Sequence, residues 1–383
     1  MKKKKSYTFR KFMTDVHLWL GLGSGIIIFL VCFSGTMLVF EEEIKSIFAE
    51  ELKISAQSDK LSIEELQEQM SKEGTISSIA IPSAETEPYV FRIKTSPKDR
   101  RGSSFMVDPY SAKVLKPQKS SLDGFFGSMF RLHRWLLLDS KIGRPIVGVA
   151  TIIFFFLSIT GIIIWFPKKW KWMAFKPGLK IKFSAKWKRI NHDLHNTLGF
   201  YSCIVLVVMI LTGLCWSFGW YRDAGSMVLG TKIFGERGGA KINSKSENLQ
   251  VLKIGEIYDI SNRELNYSGK TNITLPQDQK GVYQIRKYNE ANWSPVTSDN
   301  LVLDSDGSVL KKELFKDKPL NVQIATLIKP IHTGAIFGKL SKIVYFLACL
   351  IATSLPVTGT IIWWNKFKKK KGKKKKKKKI AVR

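Results

Sequence analysis

Four long stretches of the chain are almost wholly apolar, and polar segments separate them. They cover residues 18–40, 145–166, 198–220 and 343–364. A helix of about 22 residues is about 33 Å long, which is enough to cross a hydrocarbon core of about 30 Å. The pattern therefore predicts four transmembrane helices.

Two polar segments, one after the first apolar stretch and one after the third, show the shorter patterns of small α+β modules. In the first, residues 61–70 have apolar side chains at helical spacing, and strand-like runs follow at 75–81, 89–93 and 104–107. In the second, strand-like runs lie at 283–286 and 300–303, and Asp304-Ser-Asp-Gly307 forms a turn before Val309-Leu310. We expect a helix followed by an antiparallel meander in the first module, and strands joined by a turn in the second.

Positive charge is concentrated in three short flanks of the apolar stretches. Six Lys/Arg precede the first stretch, nine lie in the loop 167–191, and thirteen follow residue 364. Short basic flanks stay in the cytoplasm, so both termini and the middle loop are predicted inside and the two modules outside. The basic composition thus reflects topology and gives no reason to expect nucleic acid binding. The lysine-rich tail could bind anionic membrane lipid, or it could be a solvated flank.

These patterns divide the chain into eight parts. The predicted parts are a cytoplasmic N-terminus with the first helix at 1–40, an external module at 41–130, an outer-face helix start with the second helix at 131–166, a basic loop at 167–191, the third helix at 192–220, a second external module at 221–330, the fourth helix at 331–364 and the tail at 365–383.

The two halves of the chain carry matching motifs, which indicates an internal duplication. The matching residues are Asp15, His17, Gly21, Ser34 and Gly35 in the first stretch, and Asp193, His195, Gly199, Thr212 and Gly213 in the third. The second and fourth stretches match as well, with His133 before Thr160-Gly161 and His332 before Thr358-Gly359. The predicted unit is helix, external module and helix, used twice in the same orientation.

Four of the five histidines lie near the ends of the apolar stretches. His17 and His195 are predicted at the cytoplasmic face, and His133 and His332 at the outer face. Two imidazoles at one depth on neighbouring helices can bind one haem iron axially, so the sequence predicts two b-type haems. The alternative is a set of interfacial histidines whose rings reach the headgroups.

Several residues near these histidines have roles that the sequence leaves open. His192 is either interfacial or a competitor of His195. Asp15 and Asp193 are either helix caps or acceptors that orient an imidazole. Arg131, Arg134 and Arg144 could pair with haem propionates or anchor the chain at the interface.

Other cofactor chemistry has no matching motif. The four cysteines lie inside the apolar stretches, and no CxxC, P-loop or dinucleotide fingerprint occurs. We therefore expect no disulfide framework and no flavin or nicotinamide site. A reductant would have to come from another molecule.

At these motifs the chain resembles the PepSY-associated transmembrane proteins. The motifs that carry the resemblance are His17-x3-Gly21 with Ser34-Gly35, Leu132-His133-Arg134-Trp135 with Gly143-Arg144 and Thr160-Gly161, Asp193-Leu-His195-x3-Gly199 with Thr212-Gly213, and Ile331-His332-Thr333-Gly334 with Thr358-Gly359. The chain departs from the family pattern with Ser34 in place of Thr and Ile331 in place of Leu. The resemblance covers nearly the whole chain apart from the tail, and the external modules are similar to PepSY domains.

The resemblance implies a bacterial inner-membrane protein in which the four motif histidines are haem ligands. Some members of the family reduce ferric siderophores in the periplasm. The expected partners are a ferric siderophore or other ferric chelate, and a quinol or cytoplasmic flavoprotein as electron donor. The rival interpretations are a non-enzymatic PepSY-type protein that binds a periplasmic protease or peptide, and a small-molecule transporter.

Overall fold

The structure is a computed structural model of the chain, with four long apolar helices and one antiparallel sheet. It describes residues 7–48, 54, 59–96, 99, 102–115, 121–235, 242–244, 252–278 and 280–381, with side chains up to residue 369. The side chains of the lysine-rich tail beyond that point lie outside the described part, as does the lipid contact predicted for them.

Twelve α-helices occur in the described residues. They are α1 (Phe9–Leu38), α2 (Glu41–Phe48), α3 (Ile63–Ser71), α4 (Ser121–Trp135), α5 (Ser140–Trp165), α6 (Trp172–Phe175), α7 (Trp187–Asp193), α8 (Gly199–Ser217), α9 (Gly219–Leu229), α10 (Ile254–Glu264), α11 (Leu320–Thr333) and α12 (Lys339–Ala381). A π-helical turn, Leu194–Leu198, joins α7 to α8.

Four helical spans are long and apolar enough to cross a membrane: Phe9–Leu38, Ser140–Trp165, Trp187–Ser217 and Lys339–Lys369. Within the bundle, α1 packs against α5 and α12, and α8 packs against the same two helices. Each span begins before the apolar stretch that predicted it, because the backbone stays helical through polar flanking residues. The structure thus has a candidate membrane-spanning helix for each of the four predicted ones.

Two predicted segment boundaries are wrong. Trp220 was expected inside the third apolar helix, but Phe218 has an extended backbone (φ −128°, ψ 124°) that ends α8, and Trp220 belongs to α9. Residues 131–135 were expected to begin the second transmembrane helix, but they end α4. Leu136 and Leu137 adopt left-handed backbone angles that interrupt a right-handed helix.

The fourth predicted helix, 331–364, is also divided. His332 lies near the end of α11, where Gly334 has a left-handed backbone (φ 76°), and α12 begins only at Lys339. His133 and His332 are therefore carried by short helices that precede α5 and α12.

The strands of the two polar segments, one after the first apolar stretch and one after the third, form one eight-stranded antiparallel sheet. The strands are β1 (Thr75–Ile81), β2 (Tyr89–Lys94), β3 (Ser103–Val107), β4 (Val114–Leu115), β5 (Thr271–Thr274), β6 (Tyr283–Tyr288), β7 (Ser298–Leu303) and β8 (Val309–Glu313). Their order is β4-β3-β2-β1-β5-β6-β7-β8. Pairing of β1 with β5, with Ile79 opposite Ile273, joins the two predicted modules.

One face of this sheet is covered by α3 and α10, and its side chains form the main apolar core. Ile79, Phe91, Ile273 and Leu301 are all fully buried there. Alternate residues of β6 and β7 are buried in this core, as the period-two pattern predicts. The strands expected at 75–81, 89–93, 104–107, 283–286 and 300–303 all occur within this sheet.

Candidate functional site: two histidine pairs

Four histidines meet in two pairs, each made from one residue of each half of the chain. The ring centroids of His17 and His195 are 6.2 Å apart, and the ring planes are perpendicular. The ring centroids of His133 and His332 are 6.3 Å apart, with 52° between the planes. The structure therefore brings together the two pairs predicted from the sequence.

The pairs lie toward opposite ends of the helix bundle. His17 lies in α1, and His195 lies in the π-helical turn before α8. His133 contacts α1 at Val31, fourteen residues after His17 in the sequence. At 1.5 Å per residue this separates the two levels by about 21 Å along α1. The π-helical turn is itself a feature common at functional sites.

Threonine hydroxyls orient the first pair. Nδ1 of His17 lies 2.9 Å from Oγ1 of Thr160, and Nδ1 of His195 lies 2.9 Å from Oγ1 of Thr358. Each hydroxyl already donates its single hydrogen to a backbone carbonyl one helical turn earlier, so it accepts from the imidazole. The hydrogen of both rings is thus on Nδ1, and Nε2 carries a lone pair.

Backbone carbonyls orient the second pair. Nδ1 of His133 donates to the Val31 carbonyl at 2.9 Å, and Nδ1 of His332 donates to the Met209 carbonyl at 3.0 Å. A carbonyl can only accept, so these rings have the same tautomer as the first pair. His332 is also 3.1 Å from Oγ1 of Thr212. All four histidines therefore have the lone pair on Nε2 that a metal ligand requires.

A glycine lies directly against each of the four imidazoles. A methyl group added at Gly35, Gly161, Gly213 or Gly359 would lie 2.9–3.4 Å from Cε1 of a histidine. Each glycine follows the Ser or Thr of the repeated small-residue pair. The pair therefore forms a seat in which the glycine leaves room for the ring. In three of the four seats, at Thr160, Thr212 and Thr358, the hydroxyl lies within hydrogen-bonding distance of Nδ1.

The distance within each pair fits axial ligation of one haem iron. An imidazole nitrogen binds a metal at about 2.0 Å, and its ring centroid lies about 1.1 Å further away, so two axial imidazoles have centroids roughly 6.2 Å apart. Among the described residues, no group of three or more His, Cys, Asp or Glu side chains forms a metal site. Each pair offers two ligands, which is the number that an iron in a porphyrin needs.

Two arginines lie near His133, at the end of the bundle that carries the second pair. The Arg134 guanidinium lies 5.4 Å from the ring centroids of Phe130 and Trp135. Burial, and then the positive charge of Arg144, lower the pKa of Arg134. Neither arginine forms an ion pair within the described chain. Two adjacent cations without a carboxylate partner are suited to anionic groups such as propionates. Arg131 instead contacts Ser128.

The other residues that the sequence suggested near the histidines, His192 and two aspartates, lie outside the two histidine pairs. His192 is 53% exposed and lies 3.6 Å from a carboxylate oxygen of Asp193. Asp193 is held by Arg189, and Asp15 is bound by Lys11 and Tyr7. The acceptor role considered for the two aspartates is therefore wrong, because threonine and carbonyl oxygens occupy the Nδ1 side of the rings.

Sequence reasoning missed the groups that orient the rings. Thr160, Thr212 and Thr358 appeared only as markers of the repeat, although their recurrence was a usable signal. The carbonyls of Val31 and Met209 belong to the backbone, so no residue type indicates them.

Comparison with family models identifies the chain. The model of the PepSY-associated transmembrane region matches residues 14–366, which includes the sheet and nearly all of the four apolar helices. A comparison with curated proteins finds no match. The chain is a membrane protein that belongs to the PepSY-associated transmembrane family.

Proposed function

We propose that this protein is an inner-membrane, di-haem b-type electron-transfer protein that reduces a ferric chelate in the periplasm. The observation that carries the proposal is the geometry of the histidine pairs. Both have the centroid separation of a bis-imidazole haem site, and all four rings have Nε2 free to bind iron. Two pairs about 21 Å apart along α1 provide one site near each end of the bundle.

The residues of the chain hold and orient the ligands. His17 and His195 would bind one haem, and His133 and His332 the other. The Nδ1 hydrogen bonds fix each ring and make the ligating nitrogen more basic. Arg134 and Arg144 would pair with the propionates of the outer haem. When bound, the two haems supply one-electron carriers at the two levels.

The sheet domain, which consists of β1–β8 with α3 and α10, lies at the same end of the bundle as His133 and His332, because its β6–β7 loop contacts the turn that follows His332. Reduction of a ferric chelate takes one electron from the protein and converts Fe(III) to Fe(II). The lower charge weakens the attraction of iron for hard, anionic oxygen ligands, so the metal is released. The electron donor would be a quinol or a cytoplasmic flavoprotein. The basic loop and the tail would place both termini in the cytoplasm.

A reduced-minus-oxidised spectrum of the purified protein tests this function. We expect a b-type spectrum with two haems per chain. Replacing His332 with Gln should remove about one of the two, because an iron that loses one axial ligand binds more weakly. His192→Gln is the matched control, since His192 belongs to neither pair, and it should keep both haems. Protein expressed with ample haem that shows no Soret band would refute the function.

A further inference from the structure

The sheet domain contains a polar cavity of about 250 Å³ at the end of α10. Its walls come from the end of α10 and the segment after it, from the β6–β7 loop with the start of β7, and from the end of β8 with the residues that follow. The residues that line it are Glu264, Leu265, Asn266, Tyr267, Asn289, Asn292, Asp299, Lys312, Leu314 and Lys316.

The acidic groups of the cavity already have partners. One carboxylate oxygen of Asp299 accepts from the Phe315 backbone at 2.6 Å, and the other accepts from the Tyr267 hydroxyl at 2.8 Å. Burial, together with this hydrogen bond, raises the pKa of Tyr267, so the phenol keeps its proton. Glu264 is paired with Lys312 at 3.0 Å. Neither carboxylate is left to repel an anionic ligand at full strength.

The groups without partners are mainly N–H donors. Within the described chain, the Asn266 amide, the Nδ2 group of Asn289 and the Lys316 ammonium make no side-chain hydrogen bond or ion pair; Asn266 and Lys316 are exposed at the cavity, and Asn289 is partly buried. A further cation lies behind the wall: the buried Lys287 donates to the Leu265 carbonyl at 2.8 Å. Its Nζ is 5.1 Å from the centre of the Tyr267 ring. The cavity therefore favours a ligand with carbonyl and oxyanion oxygens.

The same loop connects the cavity to the outer histidine pair. Trp293, in the β6–β7 loop, lies with its ring 6.3 Å from Phe315 and 5.8 Å from Phe337. Phe337 belongs to the short turn between His332 and α12. Pro295 of the loop lies 3.6 Å from the position that a Cβ of Gly338 would occupy. The cavity thus adjoins the segment that leads directly from His332.

We propose that this cavity binds one arm of the ferric chelate, a bidentate arm of carbonyl and oxyanion oxygens such as a hydroxamate. This inference rests on the proposed function for the identity of the ligand. Pockets for whole drug-sized ligands usually measure about 300–1,000 Å³, so this smaller volume fits an arm of a chelate. Lys316, Asn266 and Asn289 bind its oxygens, and the rest of the chelate lies at the open mouth.

A redox-inert probe separates binding from reduction. The gallium(III) complex of a trihydroxamate has the shape and charge of the ferric complex, and its binding to the full-length protein in detergent is measured by calorimetry. Loss of one hydrogen bond to a charged group weakens binding by about tenfold or more, so we expect that effect from Lys316→Gln and from Asn266→Leu. Lys280→Gln, which changes an exposed lysine outside the cavity, should bind like the unaltered protein.

Each result of the gallium binding experiment either supports or refutes the proposed chelate site. If the unaltered protein does not bind the gallium complex, or if the cavity variants bind it equally well, the inference is wrong. Binding does not require haem. A protein without haem whose gallium binding still depends on Lys316 would therefore refute the electron-transfer function and leave the cavity as a chelate site. A di-haem protein with unaffected binding would refute the cavity alone.

Discussion

At the scale of single residues, each histidine is held by a seat on another helix of its own half of the chain, and it meets the histidine of the other half. His17 lies in the seat of α5 and His133 in the seat of α1. His195 and His332 repeat this exchange between α12 and α8. The seat explains why a small residue and a glycine recur at all four positions.

If the proposed function is correct, Gly213→Ala should remove the haem assigned to His133 and His332. The added methyl group would lie 2.9 Å from Cε1 of His332, which is closer than two carbon atoms pack, while alanine itself suits a helix. We expect the haem content to fall from two to about one per chain in the reduced-minus-oxidised spectrum. Gly23→Ala is the control, because no atom lies within 4 Å of its added methyl group. Two haems in the Gly213 variant would show that the glycine does not seat the ring.

The sequence identified the histidines but not their surroundings. Histidine is rare in this chain and ligates iron, so His17 and His195 could be recognised by type and position. Their hydrogen-bond acceptors could not be, because Thr160 and Thr358 lie more than 140 residues away. Which residue faces an imidazole depends on how the helices pack.

At the scale of elements, apolar length predicted the four transmembrane helices, and period-two alternation predicted the strands. The boundaries differ because backbone geometry, rather than hydropathy, ends a helix, as at Phe218 and Gly334. The single sheet was not predicted. Its central contact pairs Ile79 with Ile273, and no local pattern specifies a partner so distant in the sequence.

Ile273→Ala should destabilise both predicted modules together. The side chain is fully buried opposite Ile79, and truncation of a buried isoleucine costs about 2–5 kcal/mol. Hydrogen exchange should show lower protection in β1 and β2 as well as in β5 and β6. Val302→Ala, on the face away from α3 and α10, should change protection much less. If β1 and β2 keep their protection, the two modules unfold independently.

At the scale of the whole molecule, the bundle carries one histidine pair near each of its two ends. The sheet domain lies beyond the end that carries His133 and His332, and the basic loop lies beyond the other. The proposed electron path requires the sheet domain to face the periplasm and the basic loop to face the cytoplasm, as the charge distribution predicts. Measuring which side of the membrane each end faces therefore tests the proposed electron path.

Cysteine labelling in intact cells with a membrane-impermeant thiol reagent measures that sidedness. Ser104→Cys, in the sheet domain, should be labelled once the reagent reaches the periplasm, and Lys180→Cys, in the basic loop, should not. The four native cysteines all lie in apolar helices, so their background should be low. Labelling of Lys180→Cys with protection of Ser104→Cys would reverse the orientation and place the chelate site in the cytoplasm.

The sequence by itself determined the four membrane helices, the matching motifs of the two halves and the four candidate ligands. These features depend on local composition and on spacing along one chain. Only the tertiary structure decided the 6.2 Å and 6.3 Å separations, the Nδ1 tautomers and the joining of two modules into one sheet. Each of these depends on contacts between segments far apart in the sequence, and such contacts are fixed by packing.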